Sequence, residues 1–295
     1  MFKSLREFSK EELKDKKVFL RVDFSIPMES SELKEIHQIK AHKETVDFLT
    51  LTGARVVLVS HTENKNSVFK NTVGEIGKIL GHKLAFEEDI LNPKLESQLT
   101  LFENIRKYEG EEINDSGFAE DLAKNFDLYV NDAFSVSHRE HASVSAVTKF
   151  LPSYAGFLMA REVEYLSRVL NEPPEGKTVI LGGAKVSTKL PVIKNFLGKA
   201  GRILVAGALA NTIFKAKGIK TGQSFFEDIG DKIDWNNPKI ILPKDMVISE
   251  DRTGKSTPEV KPIQDLADNQ YILDIGPETV KLFSGIIKNS KTVIF

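Results

Sequence analysis

The sequence has 295 residues, with 41 Lys and Arg against 42 Asp and Glu, so that its formal net charge is -1. Apolar residues make up 41% and charged residues 28%, which is the balance of a globular protein and excludes a disordered or strongly basic, nucleic-acid-binding chain. No cysteine, signal peptide or membrane-length apolar run is present, which excludes disulfides, iron–sulfur clusters and thiolate zinc sites and predicts a soluble cytoplasmic protein of about two domains.

Short apolar runs alternate with longer amphipathic stretches along the whole chain. In chain order, the runs predict strands at 17–22, 55–59, 99–102, 127–131, 178–181, 202–205, 240–242, 272–274 and 292–295. Helical periodicity is clearest at 44–51, 73–80, 118–125, 190–197 and 278–287. The alternation is typical of βαβ units, and it predicts an α/β fold of two Rossmann-like domains with mainly parallel sheets.

A predicted helix connects the two halves. Residues 155–170 carry apolar side chains at helical spacing, and prolines at 152, 173 and 174 are typical of helix ends. We therefore predict an N-terminal domain at 1–153, an interdomain helix at 154–171 and a C-terminal domain at 172–295. Because the sequence stops within the apolar run 292–295, the second domain is expected to be incomplete.

Polar side chains follow the strands of the first half where these strands end. They are Asp23, His61, Arg106, His138, Arg139 and His141. Because the carboxyl ends of parallel strands meet at one edge of a sheet, these side chains are expected to line one basic cleft. Such a cleft suits a phosphorylated, carboxylated small molecule. Taken singly, each residue is more often a surface charge or a loop cap.

The strongest local pattern of the second half is VILGGAKVSTKL at residues 179–190. A strand runs into Gly182 and Gly183, which let the backbone approach a ligand and present amide groups to phosphate. Lys185 and Lys189 share one helical face if the helix begins by Lys185, and an anion between them would relieve their repulsion. The alternative is a glycine turn with two solvated lysines. The spacing of a Walker A loop is absent.

A second glycine turn lies at residues 205–211. It follows a strand and opens a helix with small residues around Gly207, which leaves room for a planar base or a ribose. The alternative is tight packing between helix and sheet.

Three aspartates close to strand ends, Asp23, Asp132 and Asp274, have two interpretations. They are acids, bases or metal ligands, or they cap the turn that follows. His138 and His141 lack the partners of a structural metal site, and no serine-hydrolase arrangement is visible.

Seven strings of the sequence resemble those of the phosphoglycerate kinases in order and in spacing. They read VFLRVDF at 18–24 with Pro27, ENIR at 103–106, YVNDAF at 129–134, HREHAS at 138–143, FLP with AGF at 150–157, LGGAKV at 181–186 and LDIGP at 273–277. The resemblance extends along essentially the whole chain.

The resemblance implies a monomeric, hinge-bending kinase of glycolysis. Such an enzyme transfers a phosphoryl group reversibly between 1,3-bisphosphoglycerate and ADP, giving 3-phosphoglycerate and ATP, with Mg²⁺ bound to the nucleotide. On the substrate side the resemblance implies Asp23, Ser25, Gln38, His61, Arg106 and Arg139. On the nucleotide side it implies Gly182, Gly183, Lys185, Lys189 and Gly207. Lys185, Arg106 and Arg139 take the catalytic positions.

Three departures from the family pattern bear on activity. Ser25 stands in place of an asparagine, and Gln38 in place of an arginine close to the transferred group. The loop at 60–65 lacks the family's glycine and arginine and carries Asn64, and a substitute Lys65 does not reproduce a bidentate guanidinium. The third departure is the end of the chain, since the family continues with part of the nucleotide site.

Together these departures predict little or no turnover by the 295 residues. One alternative is a non-catalytic binding protein of the same family. Another is an unrelated α/β nucleotide-binding protein.

Overall fold

The computed structural model describes residues 3–24, 36–228, 233–253 and 255–295. The chain divides into two compact units, Met1–Leu166 and Ser167–Phe295. Each unit contains a parallel sheet and an apolar core of its own. Over the described ranges, no helix combines the length and the apolar character needed to cross a membrane.

A parallel sheet forms the frame of the first unit. Its strands are β1 Lys17–Arg21, β2 Arg55–Val59, β3 Ala85–Glu87, β4 Leu99–Phe102, β5 Leu128–Asn131 and β6 Ser153–Ala155. They lie in the order β3-β4-β2-β1-β5-β6, and all neighbours are parallel. The four strands β4, β2, β1 and β5 are therefore adjacent, and their carboxyl ends share one edge.

The continuous apolar runs of the central strands fill both faces of this sheet. Val18 and Leu20 belong to one core, whereas Phe19 belongs to the core on the other face. In β2, Val56 belongs to the core of Val18 and Leu20, and Val57 belongs to the core of Phe19. Because successive side chains of a strand point to opposite faces, a sheet that is covered on both sides requires such runs.

Short helices cover the faces of the sheet. They are α1 Lys10–Leu13, α2 Ile36–Ala41, α3 Lys43–Leu51, α4 Val73–Leu80, α5 Glu109–Glu112 and α6 Ser116–Ala123, with 3₁₀ turns at Leu5–Glu7, Ile105–Lys107, Phe134–Val136 and Ala146–Lys149. The Asp115 carboxylate caps α6 by accepting from the Phe118 amide at 2.6 Å.

The longer helix α7, Phe157–Asn171, contains the division between the two units. It begins later than the predicted 154–171, because residues up to Ala155 form β6 and pair with β5. The domain boundaries drawn from the sequence remain a prediction.

The second unit contains a smaller parallel sheet. Its strands are β7 Lys177–Leu181, β8 Arg202–Val205, β9 Ile240–Ile241 and β13 Thr292–Ile294, in the order β13-β7-β8-β9. Helices α8 Leu190–Leu197, α9 Gly207–Ala216 and α10 Pro277–Lys288 accompany it. Ile193 of α8 and Ile213 of α9 pack with Val179 and Ile203 of the sheet in one core. The two parallel sheets confirm the predicted α/β class.

A separate antiparallel sheet in the second unit was not predicted. It consists of β10 Asp245–Ser249, β11 Glu259–Pro262 and β12 Tyr271–Ile275, in the order β11-β10-β12. The predicted strand 272–274 is therefore present as part of β12, but it pairs antiparallel with β10 outside the parallel sheet. Its partner β10 begins with an aspartate and β11 ends with a proline, so that neither gives a clear strand signal.

Candidate active site

The carboxyl ends of the central strands in the first unit bring predicted site residues into one region. Asp23 follows β1 and His61 follows β2, and Asp23 Oδ1 lies 3.9 Å from His61 Nδ1. Arg106, which follows β4, donates from Nη1 to the Thr62 carbonyl oxygen at 3.3 Å. The charges of Arg106 and Arg139 both act on His61. The result is one polar group built from four separate strand ends.

His61 is an uncharged residue within this cationic group, with 2% of its side chain exposed. Arg21 Nη2 lies 3.2 Å from His61 Nδ1. Because a guanidinium only donates, Nδ1 accepts, and the ring hydrogen is on Nε2. Burial, followed by the neighbouring arginine charges, lowers the pKa of His61 to about 3, whereas Asp23 acts in the opposite direction. His61 is therefore a neutral donor through Nε2 at physiological pH.

Arg106 is a half-buried cation whose hydrogen-bonding capacity is not filled. Its Nε is buried and has no hydrogen-bond partner among the described residues, although Glu112 Oε1 lies 3.7 Å away. Burial, and then the charge of Arg139, lower the pKa of Arg106. An anionic ligand would offset the repulsion between the two guanidinium groups and supply acceptors.

A buried polar network lies behind these residues, and sequence reasoning missed it. Arg21, 1% exposed, donates from Nε to Ser143 Oγ at 2.9 Å. Ser143 Oγ donates to the buried Glu111 Oε1 at 2.7 Å. Glu111 Oε1 also lies 3.7 Å from His141 Nδ1. A charged residue inside an apolar run, as in VFLRVDF, was the available signal, because a buried arginine needs a partner.

Asn104 fixes the loop that follows β2. This fully buried amide donates from Nδ2 to Thr62 Oγ1 at 2.8 Å, and to the carbonyl oxygens of Lys65 and Ser67 at 3.1 Å each. The same loop carries Asn64, whose side chain is exposed. The sequence indicated ENIR as a motif, but the asparagine's structural role depends on the loop folding back over it.

A cavity of about 310 Å³ lies beside Asp23. The half-buried Gln38 from α2 lines it together with Ser135, whose hydroxyl donates to Asp23 Oδ2. The predicted site residue Ser25 lies outside the described residues. Asp23 and Gln38 therefore share one cavity.

For Asp132, the structure distinguishes between the two interpretations of an aspartate at a strand end, namely an acid, base or metal ligand and a cap. It is fully buried, and its Oδ1 accepts from the amides of Leu158 at 2.9 Å and Met159 at 3.4 Å. A Cβ at Gly156 would lie only 2.1 Å from this oxygen, so that the close approach requires glycine. Asp132 caps the first turn of α7.

Two glycine turns adjoin at the carboxyl ends of β7 and β8 in the second unit. Gly183 has a φ of +102° and Gly207 a φ of +62°, which favour glycine. A Cβ on Gly207 would lie 3.6 Å from the Gly183 nitrogen, and one on Gly182 would lie 3.6 Å from the Ala206 oxygen. The two predicted nucleotide motifs are thus in backbone contact.

The lysine-bearing segment differs from the prediction in two ways. Helix α8 begins at Leu190 with Lys189 at its N-cap, so that Lys185 lies before the helix and the two lysines do not share a helical face. In addition, the amides of Val186 and Ser187 donate to Glu227 at 3.1 and 2.9 Å. The Glu227 carboxylate, which belongs to the same unit, thus accepts hydrogen bonds from two backbone amides of the segment 179–190. This segment had been expected to present its amides to phosphate. Sequence reasoning missed Glu227, which has no motif around it.

A cavity of about 350 Å³ opens beside Gly207. Its lining combines apolar walls with a few polar groups and includes Ala208, Asn211, Phe214, Arg252 and Tyr271. The Arg252 guanidinium lies 5.8 Å from the centre of the Tyr271 ring. Apolar walls with sparse polar groups are typical of small-molecule sites.

Comparison with known proteins identifies the family. The model of the phosphoglycerate kinase family matches residues 8–295. This chain belongs to the phosphoglycerate kinase family. The phosphoglycerate kinase of Wolbachia pipientis from Culex pipiens is 35% identical over 302 residues, covering 95% of this chain and 76% of that protein. That of Geobacter metallireducens is 36% identical over 309 residues, covering 97% and 78%.

Solved structures of phosphoglycerate kinases have the same fold. The structure from Coxiella burnetii superposes with a TM-score of 0.88 at 28% identity, covering 99% of this chain and 79% of that one. The structure from Pyrococcus horikoshii gives a TM-score of 0.78 at 26% identity, covering 99% and 80%. The two-unit, mainly parallel α/β architecture is therefore that of the phosphoglycerate kinases.

Membership of the phosphoglycerate kinase family makes this chain a kinase, that is, a phosphotransferase. The hypothesis of an unrelated α/β nucleotide-binding protein is wrong, and the alternative of a non-catalytic binding protein is not favoured.

Proposed function

We propose that this chain transfers a phosphoryl group reversibly between 1,3-bisphosphoglycerate and ADP, giving 3-phosphoglycerate and ATP, as a step of glycolysis. The family match over residues 8–295 supports the reaction. The proposed substrate is inferred from the group that Arg106, Arg139 and His61 form at one edge of the sheet. Two guanidinium groups around a neutral donor suit a small molecule with phosphate and carboxylate groups.

Each residue of the substrate side has a proposed task. Arg106 and Arg139 neutralise the phosphate or carboxylate of the ligand, and His61 donates through Nε2. The Asp23 carboxylate accepts from a ligand hydroxyl, and Gln38 and Ser25 contribute neutral polar contacts. The shared cavity of Asp23 and Gln38 supports this arrangement.

On the nucleotide side, Lys185 is proposed to neutralise the phosphoryl group in transit, and Lys189 the phosphates of the nucleotide. Such cations are effective because the equatorial oxygens of the transferred group carry the charge. Gly182 and Gly183 allow the phosphates to approach the backbone. The cavity at Gly207 is proposed to hold the adenosine, since it combines apolar walls with the nearby Asn211.

The donor chemistry fits a Mg²⁺ ion that arrives with the nucleotide. Within the described parts of the chain, no three His, Asp or Glu side chains are grouped so as to hold a metal. Mg²⁺ usually keeps several waters and binds through substrate phosphates and one or two carboxylates. Bound in that way, it supplies charge neutralisation to the phosphates. A cytoplasmic location and a monomeric state remain predictions.

The test is ATP formation from 1,3-bisphosphoglycerate and ADP by the purified chain. We expect slow turnover that Lys185→Ala abolishes, because the transferred group loses its cation. Lys281→Ala, which removes an exposed lysine of α10 in the same unit, is the matched control and should have no effect. Equal rates in both variants would contradict the role of Lys185.

Calorimetry with MgADP tests the nucleotide side independently of turnover. Lys189→Ala should weaken MgADP binding and leave 3-phosphoglycerate binding unchanged. An unchanged affinity for MgADP would refute the assignment.

A further inference from the structure

His42 is a buried residue that none of the proposed substrate contacts uses. Its ring, 2% exposed, lies immediately before α3. Nδ1 lies 2.9 Å from Asp132 Oδ2, and Nε2 accepts from the backbone amide of Asp23 at 3.1 Å. Both ring nitrogens are therefore engaged inside the first unit.

The hydrogen-bonding partners fix the orientation of this ring. A backbone amide only donates, so that Nε2 carries no hydrogen and Nδ1 donates to Asp132. The Phe24 ring packs against the imidazole edge to face, with the centres 5.8 Å apart. Rotation of the ring by 180° about the Cβ–Cγ bond would put Cε1 in the place of Nε2 and Cδ2 in the place of Nδ1, and would break both bonds.

Asp132 connects the imidazole to α7. Asp132 Oδ2 accepts a hydrogen bond from His42 Nδ1, and Asp132 Oδ1 accepts hydrogen bonds from the backbone amides of Leu158 and Met159 in the first turn of the helix. A continuous series of hydrogen bonds thus runs from the start of α7 through Asp132 and His42 to the backbone of Asp23.

Beyond β1, side chains replace the sheet ladder in holding the backbone. The Val22 amide still donates to the Val59 carbonyl oxygen at 3.0 Å. The next two amides donate to side chains: Asp23 to His42, and Phe24 to Ser60 Oγ at 2.8 Å. The direction of the Asp23 carboxylate therefore depends on side chains rather than on the sheet.

We propose that His42 is a positioning residue for substrate binding: held by Asp132, it fixes the Asp23 backbone so that the Asp23 carboxylate meets the hydroxyl-bearing, phosphorylated substrate. This inference rests on the proposed function of Asp23. A purely structural role for the pair would lower stability without favouring one substrate over the other.

Two variants separate the two bonds of the ring. In His42→Asn the side-chain amide takes the place of Nδ1, keeps the donor to Asp132 and leaves the Asp23 amide without an acceptor. In His42→Gln the terminal oxygen reaches the place of Nε2 and retains that acceptor. We expect His42→Asn to raise the Kd for 3-phosphoglycerate about tenfold, the effect of one lost hydrogen bond, and His42→Gln to recover most of the affinity.

Calorimetry with 3-phosphoglycerate and with MgADP gives the decisive comparison. The Kd for MgADP should not change in either variant. Amide hydrogen exchange at Asp23 should accelerate in His42→Asn, with the Val22 amide as the internal reference. A lower melting temperature with an unchanged 3-phosphoglycerate Kd in His42→Asn would overturn the proposal, as would equal weakening of both ligands.

Asp23→Ala distinguishes a failure of this inference from a failure of the proposed function. If Asp23→Ala leaves 3-phosphoglycerate binding unchanged, the assignment of Asp23 is wrong and the role of His42 falls with it. If Asp23→Ala weakens binding and His42→Asn does not, only the positioning role is wrong.

Discussion

In the first unit, the ionisable side chains of Asp23, His61 and Arg106, which follow β1, β2 and β4, are buried or half-buried. His61 is neutral among arginines, and Arg106 is half-buried with an unfilled Nε. Their location at strand ends followed from the sequence, because the predicted ends of these strands agree with the structure to within a residue. The partners of Arg21 did not follow, because Ser143 and Glu111 come from distant segments that only the folded chain brings together.

The depressed pKa of His61 predicts a pH dependence of stability. The native pKa is about 3 and the ordinary value is 6.5, so that between these values the unfolded chain binds a proton that the native chain does not. The free energy of unfolding should therefore fall as the pH decreases from about 6.5 towards 3, by up to about 1.4 kcal/mol per pH unit.

His61→Asn should remove this component, because its side-chain oxygen can still accept from Arg21 but does not titrate. Urea unfolding between pH 7 and pH 4 measures the slope. His138→Asn, which changes an exposed histidine, is the control and should keep the wild-type slope. A slope in His61→Asn equal to that of the wild type would contradict the buried, neutral state.

Gln38 stands where the family resemblance implies an arginine, and it lines the cavity of Asp23. Gln38→Arg should raise kcat/KM for 3-phosphoglycerate on the order of a hundredfold, because a cation would then act on the transferred group. Lys40→Arg, at an exposed position of the same helix, should leave kcat/KM unchanged. If Gln38→Arg and Lys40→Arg changed kcat/KM equally, the side chain at position 38 would not act on the transferred phosphoryl group.

At the scale of elements, the central parallel strands and the longer helices were predicted well, whereas two of the short edge strands were not. Helix α4 and strand β2 have the predicted bounds. The three-residue strands β3 and β6 were missed, because so short a segment has no periodicity to detect. Strand β12 was predicted at 272–274, but its antiparallel pairing was not, since that pairing depends on β10, which had not been predicted.

The start of α7 depends on the contact between Gly156 and the cap residue Asp132. Gly156→Ala should lower the free energy of unfolding by about 1–3 kcal/mol, because the new methyl group overlaps the buried carboxylate. Gly74→Ala in α4 is the matched control: no atom lies within 4 Å of the added carbon, and we expect a gain of about 0.5–1 kcal/mol. Thermal or urea unfolding measures both, and a stable Gly156→Ala protein would contradict the cap.

At the scale of the whole molecule, the chain consists of two units with separate sheets and cores. The proposed substrate residues all belong to the first unit, and the proposed nucleotide residues all belong to the second. The sequence already indicated this division through strand-end polar residues in one half and glycine turns in the other.

Ligand-dependent hydrogen exchange tests the division. At a hundred times its Kd, a ligand stabilises the unit that binds it by about 2.7 kcal/mol. We expect 3-phosphoglycerate to slow exchange in peptides that contain Asp23, His61 and Arg106, and MgADP to slow exchange at 181–189 and 205–211. Protection of the same unit by both ligands would contradict the assignment.

The α/β class, the family and the strand ends at which polar residues gather could be predicted without the structure, because they depend on local periodicity and on motifs within short segments. Which of these groups are charged, which cap a helix and which hydrogen-bond to distant residues depends on contacts that form when the chain folds. His61 is neutral because the fold buries it beside arginines. Asp132 is a cap because α7 begins against it, and Glu227 occupies two amides from a segment about 40 residues away, a pairing that no local pattern encodes.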